Sequence, residues 1–195
     1  SNRPEKASKL AMQLLSQMKS INRQTIYDLQ SSLSAELAED YFGSATTFVA
    51  AEIDQITRKA KILSVGDSRA YLIDAQGKWQ QITEDHSILS ELLADFPDKK
   101  EEDFATIYGG VSSCLVADYS EFQDKIFYQE IEIQQGESLL LCSDGLTDEL
   151  SAEVREKIWK QYDNDKSRLT VYRKLVAKQV FYDDLSVVCC HFIVE

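Results

Sequence analysis

The chain has 195 residues, enough for one domain with a real core. Hydrophobic residues make up 44% and charged residues 28%, an ordinary balance for a soluble globular protein. The net charge of −12 argues against nucleic acid or an anionic membrane as the main partner, and it is compatible with divalent cations and basic segments of other proteins.

Residues 4–20 read as an amphipathic helix, with Ala7, Leu10, Ala11, Leu14, Leu15 and Met18 on one face. Asn22 is placed to cap a second helix containing Ile26, Leu29, Leu33 and Leu37. Gly43-Ser44 breaks the helical pattern. Residues 44–53, 59–65, 70–74 and 78–82 then read as strands, separated by Gly66-Asp67-Ser68-Arg69 and by Gln76-Gly77. The expectation for 44–82 is an antiparallel meander.

Residues 83–112 are less regular. Residues 87–94 read as a short helix, and Pro97 ends it because proline disfavours a helical residue before it. Lys99 to Asp103 is a charge run, read as a solvated loop or helix face. A region of this length inside a domain is often a lid or binding element. Residues 127–133 alternate, with Phe127, Ile131 and Ile133 on one face and Tyr128, Glu130 and Glu132 on the other. Leu139 to Cys142 form an unbroken apolar run, read as a strand buried on both faces. Ser151 is placed to cap a helix with Val154 and Ile158 inside. Another helix over 166–180 carries Leu169, Tyr172 and Val176, and the last strand is 185–194. Helices, many strands, helices and a final strand together predict two packed antiparallel sheets with helices outside.

Three acids sit at comparable local positions. Asp67 lies in the turn after residues 62–66, Asp144 at the end of the buried strand, and Asp183 just before the last one. A carboxylate at a strand end can hold a hard metal ion or orient a water. It can equally serve only as a turn cap. If the last two strands are antiparallel neighbours, Asp144 and Asp183 face one another across one sheet edge. Two carboxylates so close would repel unless a cation sat between them. Oxygen-only ligands suit magnesium or manganese rather than zinc.

Other chemistries find less support. His86 reads as a turn or cap residue and His191 as a packed or edge histidine, neither with an evident nucleophile partner. Asp118, Asp148 and Asp163 read as surface or cap residues. The cysteines are Cys114, Cys142, Cys189 and Cys190, and none shows zinc-ligand spacing. They read as buried free thiols in a reducing compartment, and the expected location is the cytoplasm. No apolar run is long enough to span a membrane, and the start is not signal-like.

Four segments occur in the order and rough spacing of a known family: residues 66–72 (GDSRAYL), 83–87 (TEDHS), 140–146 (LLCSDGL) and 183–188 (DDLSVV). With Gly43-Ser44-Ala45-Thr46-Thr47 before them, they resemble the metal-dependent protein phosphatases of the PPM, or type 2C, family, bacterial type. Each motif alone is weak, but four in order are specific. The resemblance spans about 43–194.

It implies an α+β fold, an αββα sandwich of two antiparallel sheets flanked by helices. It also implies two manganese or magnesium ions, with a third as a further expectation, and hydrolysis of phosphoserine or phosphothreonine by a metal-activated water. By resemblance, Asp144 and Asp183 are ligands of one metal of the pair, and Asp67 helps to hold the weaker third ion. Residues 87–112 resemble the flap beside the active site. Phosphorylated proteins are the expected substrates and a serine/threonine kinase system the expected partner, with no nucleic acid and no membrane.

The family's first motif, Asp-Gly-x-Gly-Gly, does not occur in these residues, and Asp184 stands where asparagine is more usual. The expectation is therefore a single domain over 1–195 whose chain begins inside it, with catalytic residues upstream of residue 1 and poor turnover by itself. Two other readings remain open: a binding module of the same fold without catalysis, and a phosphatase acting on sigma-factor regulators.

Overall fold

A computed structural model describes residues 3–104, 110–122, 125–179 and 184–192. In chain order the helices are α1 (Pro4–Leu15), α2 (Arg23–Tyr41), α3 (Ile88–Asp95), α4 (Asp144–Thr147), α5 (Ala152–Gln161) and α6 (Asp165–Val176). The strands are β1 (Ala45–Thr46), β2 (Phe48–Asp54), β3 (Lys59–Val65), β4 (Arg69–Ile73), β5 (Trp79–Gln81), β6 (Leu115–Val116), β7 (Phe127–Glu132), β8 (Ser138–Cys142) and β9 (Val187–His191). They form three sheets, β1-β6, β2-β3-β7 and β5-β4-β8-β9. The chain divides into two compact units, one of residues 1–52, 61–67 and 85–129, the other of residues 53–60, 68–84 and 130–195.

In the first unit the helices form where the apolar spacing predicts. Pro4 stands at the start of α1, where its missing N–H costs nothing. That helix ends at Leu15 rather than at residue 20, and residues 16 and 17 turn on i→i−4 and i→i−3 backbone bonds. Asn22 caps α2 through a bond from Gln24 N at 2.8 Å, and Thr25 closes the reciprocal capping box. Ala7, Ala11, Ile26, Leu29 and Leu33 pack with Phe48, Ala50, Leu63, Val65 and Leu115 in one apolar core. Each large aliphatic side chain so buried contributes about 1.5–3 kcal/mol. Tyr128 packs against the same core, so the face of β7 expected to be wet is partly covered.

The second unit has its own core of Tyr71, Ile73, Trp79, Leu140, Cys142, Ile158, Trp159, Tyr172 and Val176. Helices α5 and α6 thus cover the sheet β5-β4-β8-β9. Ser151 and Asn164 cap them by accepting from Val154 N and Ser167 N. Of the apolar residues that marked these helices in the sequence, Val154 and Leu169 are each 37% exposed, and Ile158, Tyr172 and Val176 face inward.

The meander over 44–82 is not what forms. The β2–β3 and β4–β5 hairpins belong to different sheets, and the chain changes sheet at Gly66-Asp67-Ser68. Gly66, between them, has φ +99°, which glycine adopts without strain. Of the cysteines only Cys142 is fully buried; Cys114, Cys189 and Cys190 are half-buried, and no disulfide joins any of the four. Among the described residues no helix is long and apolar enough to cross a membrane.

Candidate metal centre

Asp144 is placed by the strand before it. In β8, Ser138, Leu139, Leu140 and Cys142 are buried, which pins the strand in the middle of its sheet. Helix α4 begins at once, with Asp144 as its first residue and Gly145 as its second. Gly145 is therefore helical. The Asp144 carboxylate is half-buried, and its Oδ1 accepts from Gly145 N at 2.9 Å. Thr147 Oγ1 and Asp148 N both donate to the Asp144 carbonyl, at 3.2 and 2.9 Å. The residue thus sits in a fixed direction at the end of a rigid strand.

The neighbouring strand arrives as expected. β8 and β9 are antiparallel, with Cys142 opposite Val187. The end of β8 therefore lies beside the start of β9. Ser143 joins the two. Its Oγ donates to the Asp184 carbonyl at 2.9 Å and accepts from Ser186 N at 3.0 Å, while Ser143 N donates to Ser186 O at 3.1 Å. Ser143 is the residue sequence reasoning passed over, because a hydroxyl beside an acid carries no signal until its partner strand is known. Asp183 itself lies outside the described residues. On the other side of β8, Arg69 pairs with Cys142 and reaches Asp148 at 3.4 Å. Asp148, read from sequence as a surface or cap residue, is exposed and takes part in that contact.

The first unit holds Asp67, half-buried in the turn after β3. His86 braces that turn. Its Nδ1 accepts from Gly66 N at 3.1 Å, and its backbone N donates to Gly66 O at 2.9 Å. Nδ1 must present its lone pair, so neutral His86 carries its proton on Nε2. At 6% exposure His86 is a buried tether, not the turn or cap residue read from sequence.

The same histidine begins the segment read as a flap. Ser112 N donates to His86 O, Ile88 N donates to Gly110 O, and Ser87 bridges Val111. Both ends of the segment are tied together at its base. Helix α3 in the segment is capped by Ser87, and none of its residues is fully buried. Lys125 pairs with Glu91 at 3.2 Å. Residues 105–109, including Gly109, lie outside the described residues.

The Asp144 carboxylate at the end of β8 is an oxygen donor, and oxygen donors fit a hard dication such as magnesium or manganese.

The model of the family described as protein phosphatase 2C matches residues 1–173. The serine/threonine phosphatase stp of Listeria monocytogenes serovar 1/2a is 36% identical over 140 residues, covering 71% of this chain and 54% of that protein. The chain spans about half the length of the curated relatives it matches. Among solved structures, the Mycobacterium tuberculosis serine/threonine phosphatase PstP/Ppp is similar with a TM-score of 0.79 at 23% identity, covering 95% of this chain and 80% of that one. The catalytic domain of PstP in complex with 2 manganese ions is similar with a TM-score of 0.74 at 23% identity, again over 95% and 80%. At such identity these structures share the fold, the expected α+β arrangement of antiparallel sheets flanked by helices.

Proposed function

Because the chain belongs to the protein phosphatase 2C family, we propose that this protein is a metal-dependent phosphatase of phosphoserine and phosphothreonine in other proteins. In this reading Asp144 and Asp183 hold one of a pair of manganese or magnesium ions, and Asp67 helps to hold a more weakly bound third. Bound metal supplies Lewis-acid stabilisation of the phosphoryl oxygens and a water nucleophile at neutral pH.

The chain's own residues do the positioning. β8 fixes the Asp144 backbone, Gly145 N holds one carboxylate oxygen, and Ser143 locks the start of β9 against the end of β8. His86 keeps the Asp67 turn in place and anchors residues 87–112, the segment that would bear on substrate choice. Two further things support the reading. The similar proteins are named as a serine/threonine phosphatase and a protein phosphatase, and the net charge of −12 favours basic protein segments over nucleic acid or anionic membranes. A cytoplasmic location, a partner serine/threonine kinase and a single domain over 1–195 belong to the same proposal.

The observation that carries it is the β8–β9 register with its Ser143 clasp. Asp144→Asn tests it. A neutral amide is a poorer partner for a dication than a carboxylate, so manganese-dependent hydrolysis of a phosphopeptide should fall on the order of 100-fold. Calorimetric manganese binding should weaken in parallel, with the circular dichroism unchanged. Unchanged hydrolysis and binding would remove Asp144 from the site. Asp67→Ala should lower turnover yet spare the tightest manganese event; loss of that event would make Asp67 a primary ligand instead.

A further inference from the structure

At the start of β8, about 13 Å along the strand from the Asp144 end, a second cluster stands apart from the site above. Cys189 and His191 are two apart on β9 and share one face of the strand. Asp165, the first residue of α6, meets them there. The ligand atoms of these three residues all lie within 4.8 Å of one another. His191 Nε2 is 2.7 Å from Asp165 Oδ2 and 3.7 Å from Cys189 Sγ.

The geometry points to a zinc site made by Asp165, Cys189 and His191, with a fourth position left for water. Thiolate, imidazole and carboxylate together are a donor set for zinc, not for the hard ions of the first site. Tetrahedral zinc at ordinary bond lengths puts sulfur and nitrogen about 3.6 Å apart, and nitrogen and oxygen about 3.4 Å apart. The observed 3.7 Å between Sγ and Nε2 already matches. The 2.7 Å between Nε2 and Oδ2 is a hydrogen bond, and it has to open by less than 1 Å for the ion to replace its proton.

The surroundings also hold each ligand in direction. Ser138 lies directly opposite His191 in the β8–β9 ladder, with its Oγ 2.7 Å from Nδ1. Metal-binding histidines characteristically give the other ring N–H to such a partner. The buried Ser138 hydroxyl can donate or accept, so it serves both the metal-free and the metal-bound tautomer. Arg168 holds Asp165 Oδ1 at 3.0 Å and stacks over Trp159 at 3.9 Å, directing Oδ2 toward the cluster. A cavity of about 210 Å³, lined by Asp165, Arg168, Tyr172 and Cys189 among others, opens beside the thiol.

The proton count is simple. Burial first, then the Asp165 charge, pushes the Cys189 thiol up to about 12, so without metal it stays protonated. On binding, zinc replaces the thiol proton, which goes to solvent. His191 takes the ion through Nε2, and its ring carries a proton on Nδ1, where Ser138 accepts it. No electron is transferred. Asp165 is already ionised: burial raises its carboxyl, but the His191 and Arg168 hydrogen bonds outweigh that and lower it.

The test uses cobalt as a spectroscopic substitute, on the whole chain, with magnesium in excess to occupy hard-ligand sites. One equivalent of cobalt should give a thiolate-to-cobalt charge-transfer band in the near ultraviolet and the visible bands of a tetrahedral ion. Zinc should displace it. Cys189→Ser should abolish the charge-transfer band, and His191→Gln should abolish tight binding. Ser138→Ala should weaken the affinity about 10- to 100-fold. Cys190→Ser and Cys114→Ser should leave the spectrum intact. Circular dichroism establishes that each variant is folded, and the wild-type spectrum stands whether or not a variant folds. A wild-type titration without a charge-transfer band, or a band that survives Cys189→Ser, overturns the assignment.

Discussion

Replacing Gly66 by alanine tests whether the turn that leads into Asp67 requires glycine. Gly66 has φ +99°, and a Cβ there would lie 2.6 Å from Thr47 Cγ2 and 2.7 Å from Thr47 Cβ. Two costs add. The left-handed conformation costs a residue with a Cβ about 1–2 kcal/mol. Forcing a methyl into a buried, filled position costs about 1–3 kcal/mol. The expected destabilisation is their sum, about 2–5 kcal/mol. Thr47→Gly separates the two. It removes both close atoms and leaves the Thr47 Cα at 3.3 Å, a contact that needs only a small shift. In a double-mutant cycle the two substitutions should therefore couple favourably by about 1–3 kcal/mol, while the conformational part of the cost remains. Urea denaturation of the four proteins gives the numbers, with an unchanged slope as the condition for comparing midpoints. A Gly66→Ala loss below about 0.5 kcal/mol, the range of an ordinary surface change, would refute the reasoning. So would zero coupling with Thr47.

Ser143→Ala removes two hydrogen bonds between β8 and the segment before β9, and should cost about 1–2 kcal/mol by thermal denaturation. It should also weaken manganese binding about 10- to 100-fold by calorimetry, because a residue that orients a ligand goes with it; unchanged binding would detach the clasp from the metal reading. Trp79 packs its ring against Tyr71, Trp159 and Tyr172, with the buried Arg155 guanidinium 5.3 Å from its centre. Trp79→Ala should cost about 3–5 kcal/mol in urea, and a loss under 1 kcal/mol would show that α5 does not depend on it. Glu52 accepts from Ser20 Oγ and Ile21 N, each at 2.7 Å, and pairs with Lys61 at 3.0 Å. The Ser20 bond first, then the Ile21 amide, holds its carboxyl below the usual glutamate range. Its stabilisation is therefore complete above that usual range and is lost as pH falls through the lowered native value. Glu52→Gln should flatten that part of the acid melting curve and leave a uniformly less stable protein above it; parallel curves across the acid range would be the contrary result.

Much of the architecture is local and was legible in the chain itself. The 3.6-residue spacing of Ala7, Ala11 and Leu14 makes a helix with one apolar face wherever it packs. Asn22 and Ser151 cap because a short side-chain oxygen meets the open N–H groups of the next turn. β3 appears with the bounds read from sequence, and β8 runs one residue earlier at its start, from Ser138. Asp144 marks a strand end because an ion is costly inside the apolar run before it. The antiparallel neighbourhood of the last two strands was only a condition of the sequence reading, and the β8–β9 register meets it.

What remained hidden depends on contacts between distant residues. Gly66 looks like any turn glycine; its positive φ and the close approach of Thr47 are what require glycine there. His86 looks polar and local; burial against Gly66 makes it a tether. Ser143 acquires a role only when Ser186 arrives 43 residues later in the chain. Asp165, Cys189 and His191 have no ligand spacing in sequence, since one comes from a helix and two from a strand. Pattern along the chain determines which face of an element is apolar, because that depends on its own side chains. Which polar atoms meet is decided by strand register and helix packing, and those are settled by the burial of whole faces at once.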